Sequence, residues 1–390
     1  MHKIKLLILL ICCLFGVEIR ATEQSPNISA DQIIETQLEL FNWEEINKLE
    51  EELSQNVPEL KDFNLKNEIS LILTGQKEFN LAVMLEFIKD RILGEFFMYI
   101  SVIVRFILIV LLCHLLNHLS SAFESKNTTK IAFFVCNIVI LYSIMESLVL
   151  IVEVAQNTIN TLQGIMLIML PTLLAFMATS GYIATSAALS PVIIGALNLM
   201  VFIIQTILLP SVIIVIILQI VNNMSETAEF KFNKFIALYY RASKWALRTI
   251  FILSLTIMGL YRMSLPFTDA TMKKVGLTLS TKFIPILGNA VSGAVDIIIQ
   301  ISGMIKNAFG IGVIILIVLV IATPLLKIFV YICMFHIAGA FIETMGDKKM
   351  SKTATDIGKG CEFIMSCVGV VSILSILTLV VCMSVGAGLL

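Results

Sequence analysis

Arg105, Glu146, Asp296 and Lys327 stand inside long apolar runs of this 390-residue chain, and they are the side chains best placed to do chemistry. A charge at the centre of a bilayer is costly unless a partner or a water-filled cavity offsets it, so intramembrane ionisable residues pair or line a pathway. Arg105 and Glu146 fall about nine and six residues from the outer ends of antiparallel neighbouring spans, within roughly a turn of the same depth. The sequence therefore predicts that they pair. Such a pair either fixes helix packing or lines a conduit, and both readings stand at this level.

Other chemistry is sparse. No phosphate-binding loop of the Walker type, dinucleotide-binding glycine motif or zinc-protease helix motif occurs. His114 and His118 share a helix face and could hold a metal, but a helix end meeting the membrane interface accounts for them without one. Of the eight cysteines, none falls between Thr22 and Leu112, the stretch that would meet an oxidising compartment, so no disulfide framework is expected. Cys113, Cys136, Cys333, Cys367 and Cys382 sit in apolar runs as small hydrophobes. No cofactor or metal is implied, the chain does not read as an enzyme, and an energy-coupling enzyme would be another chain.

The elements that must position these residues are membrane helices. Only 14% of residues are charged and 58% are hydrophobic, whereas soluble chains carry about 25% charged residues. The fold class expected is all-α: a polytopic helical membrane protein with a cleaved signal peptide and a small helical extracytoplasmic N-terminal region. The net charge of −1 offers no basic excess for nucleic acid. Apolar runs predict spans at 96–117, 131–152, 191–221, 249–264, 308–338 and 362–386. Two further apolar stretches, 164–190 and 281–305, are rich in Gly, Ala, Ser and Thr and carry Pro171 and Pro285 near their starts. Small residues let helices approach closely in lipid, and Pro and Gly interrupt them. Pro171, Gly181, Pro285, Gly288, Gly293 and Pro324 are accordingly the candidate helix-break and packing residues. Whether the two stretches cross or re-enter decides between six and eight spans. The intervals Pro171–Pro285 and Pro210–Pro324 are both 114 residues, which suggests an internal repeat of about 131–244 and 245–358, as in transport folds built from broken helices.

Ahead of the spans, His2, Lys3 and Lys5 precede an apolar run from Leu6 to Val17 and small residues around Ala21. That is the layout of a signal peptide, residues 1–21. Residues 22–95 form an acidic helical extracytoplasmic region: between Thr22 and Asp90, 15 acidic residues face 5 lysines. Ile34, Leu38 and Phe41 recur at helix spacing, and a second amphipathic helix is expected from Asn80 to Glu95. The region is either a docking surface or a solvated linker. Residues 96–390 are the transmembrane domain.

An exported N-terminus places the loop 118–130 in the cytoplasm, and Lys348, Lys349, Lys352 and Lys359 on the same side whether the small-residue stretches cross or re-enter. The segment 222–248 is cytoplasmic only if both re-enter. Within it, Phe232, Phe235, Ile236, Tyr239 and Ala246 are read on one helix face and Lys231, Lys234, Arg241, Lys244 and Arg248 on another. This is either an interfacial helix drawn to anionic lipid or a basic connector.

The segments LKDFNLKNEISLILTGQ, LPTLLAFMATSGYIATSAALSP, KFIPILGNAVSGAVDIIIQISGMIKNAFG and ATPLLKIFVYICMFHIAGAFIETMGDKKMSK resemble, in order and spacing, the stage III sporulation protein AE family of endospore-forming bacteria. The likeness runs from about Glu59 to the C-terminus and is strongest over 281–360. The chain departs from the family pattern where Ile342, and not proline, precedes Glu343. The resemblance implies a multi-pass protein of the mother-cell membrane surrounding the forespore. It implies a place in a channel complex between the two cells that supports late forespore gene expression, with other membrane subunits and a separate cytoplasmic ATPase as partners. Broken helices and the repeat keep a second reading open, a self-contained secondary transporter.

Overall fold

A computed structural model of the chain describes residues 43–57, 60, 61, 63–74, 126–224, 232–283, 288–344 and 348–385, with isolated helical positions between 34 and 115. The signal segment 1–21, the helix expected at 80–95, Pro285 and Arg105 lie outside the described residues, as does most of the span 96–117. Among the described residues every element is helical. Two short helices come first, α1 (Trp43–Asn56) and α2 (Leu65–Leu73). Then follow α3 (Lys126–Thr179), α4 (Ile183–Ile203), a π turn (Ile204–Leu208), α5 (Leu209–Met224), α6 (Asn233–Phe283), α7 (Gly288–Thr344) and α8 (Lys348–Ser384).

Among the described residues, four stretches are long and apolar enough to cross a membrane: Ile138–Thr179, Ile183–Asn223, Ile297–Thr344 and Lys348–Ser384. At 37 to 48 residues they run roughly 55–70 Å, against about 30 Å of hydrocarbon core. The sequence divided the same residues differently. The expected span 131–152 and the first part of 164–190 are one unbroken helix, α3; 281–305 and 308–338 share α7, apart from the residues before Gly288. The span 249–264 is an internal part of the 51-residue α6.

Prolines explain the difference. Pro171 lies inside α3 and Pro324 inside α7, and neither ends its helix. A proline removes one donor from the ladder, and in lipid, where breaking the rest would strand further polar groups, neighbouring hydroxyls and local adjustments keep the helix whole. Thr172 Oγ1 donates to the Ile168 carbonyl at 3.3 Å beside Pro171. Ahead of Pro210 the ladder widens into the π turn, and Ser211 Oγ donates to Ile207 O at 2.5 Å and Leu208 O at 3.0 Å. The prolines paired by the 114-residue interval thus sit in different settings: Pro210 follows a π turn and Pro324 stands in continuous α-helix.

The break in the first small-residue stretch falls at Gly181. Its φ of 88° is the left-handed conformation that glycine adopts without a Cβ penalty. Gly181 N–H donates to Ala178 O at 3.0 Å and Tyr182 N–H to Met177 O at 3.1 Å, the paired bonds of a Schellman cap. The chain reverses there, and α3 and α4–α5 form a helical hairpin rather than a re-entrant loop. The interior is packed with large apolar side chains. Phe176 on α3 meets Phe309 on α7 with ring centroids 5.4 Å apart, and Phe335 and Phe363 are fully buried farther along. The outside is apolar too, with Tyr142, Val149, Leu199, Ile214 and Phe329 exposed. An apolar exterior of that extent is a surface made for lipid.

Contacts fix which ends lie together. Asn223 meets Asp356 and Asn222 meets Asn233, so the end of α5 and the basic starts of α6 and α8 cluster at one end of the bundle. The Gly181 turn, Asp269, Lys306 and Val385 cluster at the other. α2 packs on α7 beside Gly312, where a Cβ would meet Leu65 Cδ1 at 2.6 Å. Two helical stretches, α3 and α4–α5, connect Lys126 to Asn233.

Candidate functional site

The hairpin turn opens a buried polar cluster. α4 begins with Tyr182 as its N-cap residue, whose side chain caps nothing. The orphan N–H groups of its first turn are taken by another helix. Asp269 of α6 accepts from Ala184 N–H through Oδ1 at 2.8 Å and from Thr185 N–H through Oδ2 at 2.9 Å, and the Thr185 hydroxyl also donates to Oδ2. Asp269 is 4% exposed and Thr185 is fully buried. A carboxylate at a helix N-terminus meets unsatisfied donors and the positive end of the macrodipole, which offsets its loss of water. Ser186 Oγ donates back across the hairpin to Leu174 O at 2.7 Å.

Lys306 completes this end. The residue is 3% exposed, and its ammonium donates to Val385 O at 2.6 Å, just past the end of α8, and lies 5.8 Å from the centre of the Tyr182 ring. A cation at a helix C-terminus complements the dipole as the carboxylate does at an N-terminus. Burial, and then the negative charge of Asp269, push the Tyr182 phenol above its ordinary range. The turn therefore holds an acid and a base, each seated on a helix terminus, with an aromatic ring beside them.

The opposite end is built differently. Asp356 of α8 accepts from Asn223 Nδ2 at 3.1 Å and from Lys359 Nζ at 3.0 Å. Tyr240 OH donates to Gln219 Oε1 at 3.4 Å, and its ring meets Phe363 edge-on at 6.4 Å. His336 Nε2 and Glu362 Oε1 are 2.9 Å apart, both partly exposed. Three glycines bring the helices close. A Cβ on Gly339 would stand 2.6 Å from Thr355 Oγ1, one on Gly358 3.1 Å from His336 Nε2, and one on Gly360 2.7 Å from Ile216 Cγ1. Between the two ends, interhelical amide pairs tie the hairpin: Gln163 Nε2 to Asn198 Oδ1 at 2.8 Å and Gln205 Nε2 to Asn160 Oδ1 at 2.6 Å.

Of the residues singled out from sequence, Gly181 lies at the centre of the turn cluster. Gly288 is the first residue of α7, and Gly293 and Asp296 follow in it, their surroundings lying outside the described residues. Glu146 of α3 is exposed and in electrostatic range of Tyr331 of α7, and the half-buried Lys327 lies one turn before Tyr331. Its predicted partner Arg105 lies outside the described residues. Asp269, Thr185, Lys306, Asp356 and the glycines Gly339, Gly358 and Gly360 were not singled out. Asp269 and Lys306 are lone charges in weakly polar neighbourhoods, so the apolar-run criterion passes over them. The Gly358–Lys359–Gly360 triplet in a span rich in Ser and Thr was the available signal for the other end.

The arrangement defines a class: a polytopic helical membrane protein whose buried charges are seated on helix ends. Within that class the comparison with known families is specific. The family model of stage III sporulation protein AE matches residues 63–386, and the chain belongs to that family. It is 24% identical over 358 residues to the stage III sporulation protein AE of Bacillus subtilis (strain 168), covering 92% of this chain and 89% of that protein. No solved structure matches it significantly. The chain is a sporulation protein of the membrane.

Proposed function

We propose that this chain is a membrane subunit of a transenvelope channel between mother cell and forespore, residing in the mother-cell membrane around the forespore and required for late forespore gene expression. The observation that carries the reading is the family match across nearly the whole helical bundle, joined to four helices of spanning length. The acidic N-terminal region, with α1 and α2, faces the space between the two membranes, and the basic end faces the mother-cell cytoplasm. Other membrane subunits pack against the bundle, and a separate cytoplasmic ATPase supplies energy, since the sequence holds no Walker-type loop.

The test is a tagged full chain purified from sporulating cells, alongside a strain lacking it. Co-purification of other membrane subunits and an ATPase, with loss of late forespore gene expression in the deletion strain, is the expected result. A chain that purifies alone, and whose proteoliposomes accumulate a solute against an ion gradient, would establish the self-contained transporter instead.

A further inference from the structure

The first turns of α6 present three stripes. Ile236, Ser243, Leu247 and Ser254 are buried against the bundle, with Tyr240 half-buried among them. On the outward side Phe235, Leu238, Trp245, Ile252 and Leu253 are exposed, Trp245 at 69%. Beside that apolar stripe run Lys234, Arg241, Lys244 and Arg248, all exposed, and none forms an ion pair among the described residues. At 100° per residue the cations fill an arc that borders the apolar stripe and stays off the buried one. The sequence reading put Phe235, Ile236 and Tyr239 on one face; the bundle takes Ile236 and leaves Phe235 outside, so the exposed face is both apolar and cationic.

We propose that this outward face of α6 is a binding seat for anionic lipid headgroups, with Arg241, Lys244 and Arg248 on the headgroup and Leu238 and Trp245 on the adjoining acyl chains. Continuity selects lipid over an acidic protein. The apolar stripe runs without interruption through Ile252 and Leu253 into the apolar run that follows Arg248, so its lower part meets hydrocarbon while its upper part meets the cations. Interfacial helices of this composition draw anionic lipid through the same pairing of apolar depth and basic rim.

The chain has two tryptophans, so Trp43→Phe leaves Trp245 as the only indole. The full chain carrying that change is reconstituted into bilayers of phosphatidylcholine and phosphatidylglycerol, with bromine on the acyl chains of one lipid or the other. Trp245 should be quenched by brominated lipid and shielded from acrylamide, and brominated phosphatidylglycerol should quench more than brominated phosphatidylcholine at equal mole fraction. Neutralising Arg241, Lys244 and Arg248 to Gln one at a time should weaken the anionic preference about fivefold each at low salt, and inorganic phosphate should not compete. Acrylamide access with indifference to brominated lipid would overturn the proposal and point to a protein or open water. Equal quenching by the two lipids would overturn it as well, leaving apolar contact without a headgroup site. Neither readout needs the neutralised variants to fold.

Discussion

The two ends of this bundle solve the same problem, buried polarity beside lipid, in different ways. At the hairpin turn, charged side chains satisfy backbone groups: Asp269 takes two N–H groups of α4, and Lys306 takes the Val385 carbonyl past α8. At the basic end, side chains satisfy side chains, as with Asn223 and Lys359 on Asp356, and close helix approach rests on glycines. Backbone at a helix terminus cannot rotate away or find water when its partner is lost, whereas a half-exposed lysine can. The turn should therefore be the costlier end to damage.

Asp269→Ala should have the largest effect. It strands the buried Thr185 N–H and hydroxyl and the part-buried Ala184 N–H, and should cost on the order of 3 kcal/mol. Asp269→Asn, which keeps one acceptor, should cost about half as much. Thermal denaturation of the purified chain in detergent reads the order, and a loss no larger than that of a surface change would break the comparison.

Glycine substitutions at the basic end come next. Gly339→Ala would press its methyl on Thr355 Oγ1 and on the Ser351 carbonyl, which lies 3.2 Å from the added atom and belongs to backbone. A cost of roughly 1–3 kcal/mol is expected, read by the same melting experiment. Equality with wild type would mean that α7 and α8 can separate freely.

Gly181 tests backbone conformation instead of crowding. The nearest atom to an added Cβ is Ile299 Cδ1, at an ordinary 3.6 Å, so the penalty of Gly181→Ala is its left-handed φ, worth about 1–2 kcal/mol. Gly164, with nothing within 4 Å of an added Cβ in mid-helix, should gain about 0.5–1 kcal/mol from the same change. Opposite signs for the two alanines are the expected outcome.

Asp356→Ala should cost about 1–2 kcal/mol, because Lys359 is 56% exposed and keeps its water and the buried Asn223 amide alone loses its acceptor. If it matched Asp269→Ala, the two ends would not differ in kind.

Outside the bundle, burial raises the Glu50 carboxyl above 4.5, and the Leu65 N–H bond opposes the shift. An acid whose folded pKa is raised binds its proton more readily folded than unfolded. The packing of α1 on α2 should thus be strongest below the ordinary carboxylate range and weaken as pH rises through the folded value. Glu50→Gln, which keeps an acceptor for Leu65, should flatten that dependence, measured by amide hydrogen exchange of α1 and α2 across pH.

Legibility followed the length scale of each signal. Membrane character and the all-helical class came from apolar runs tens of residues long, and the family resemblance from the order of glycine and proline blocks. Of the candidate break positions, Pro171 and Pro324 lie inside unbroken helices, whereas Gly181 follows the end of α3 and Gly288 begins α7. A proline costs the ladder one donor, which a helix shielded from water can lose without unwinding, whereas the positive φ of Gly181 turns the chain.

By itself the sequence determined that the chain lives in lipid, that its basic residues gather beyond the ends of apolar runs, and that it belongs with one sporulation family. Those properties depend on composition and local order, which survive without knowing what touches what. Only the tertiary structure decided that Asp269 caps a helix 84 residues away, that Lys306 closes the far end of α8, and that the stretch around Gly181 is a hairpin turn. A charge becomes part of a buried site through the donors that meet it, and those donors come from helices whose pairing no local pattern records.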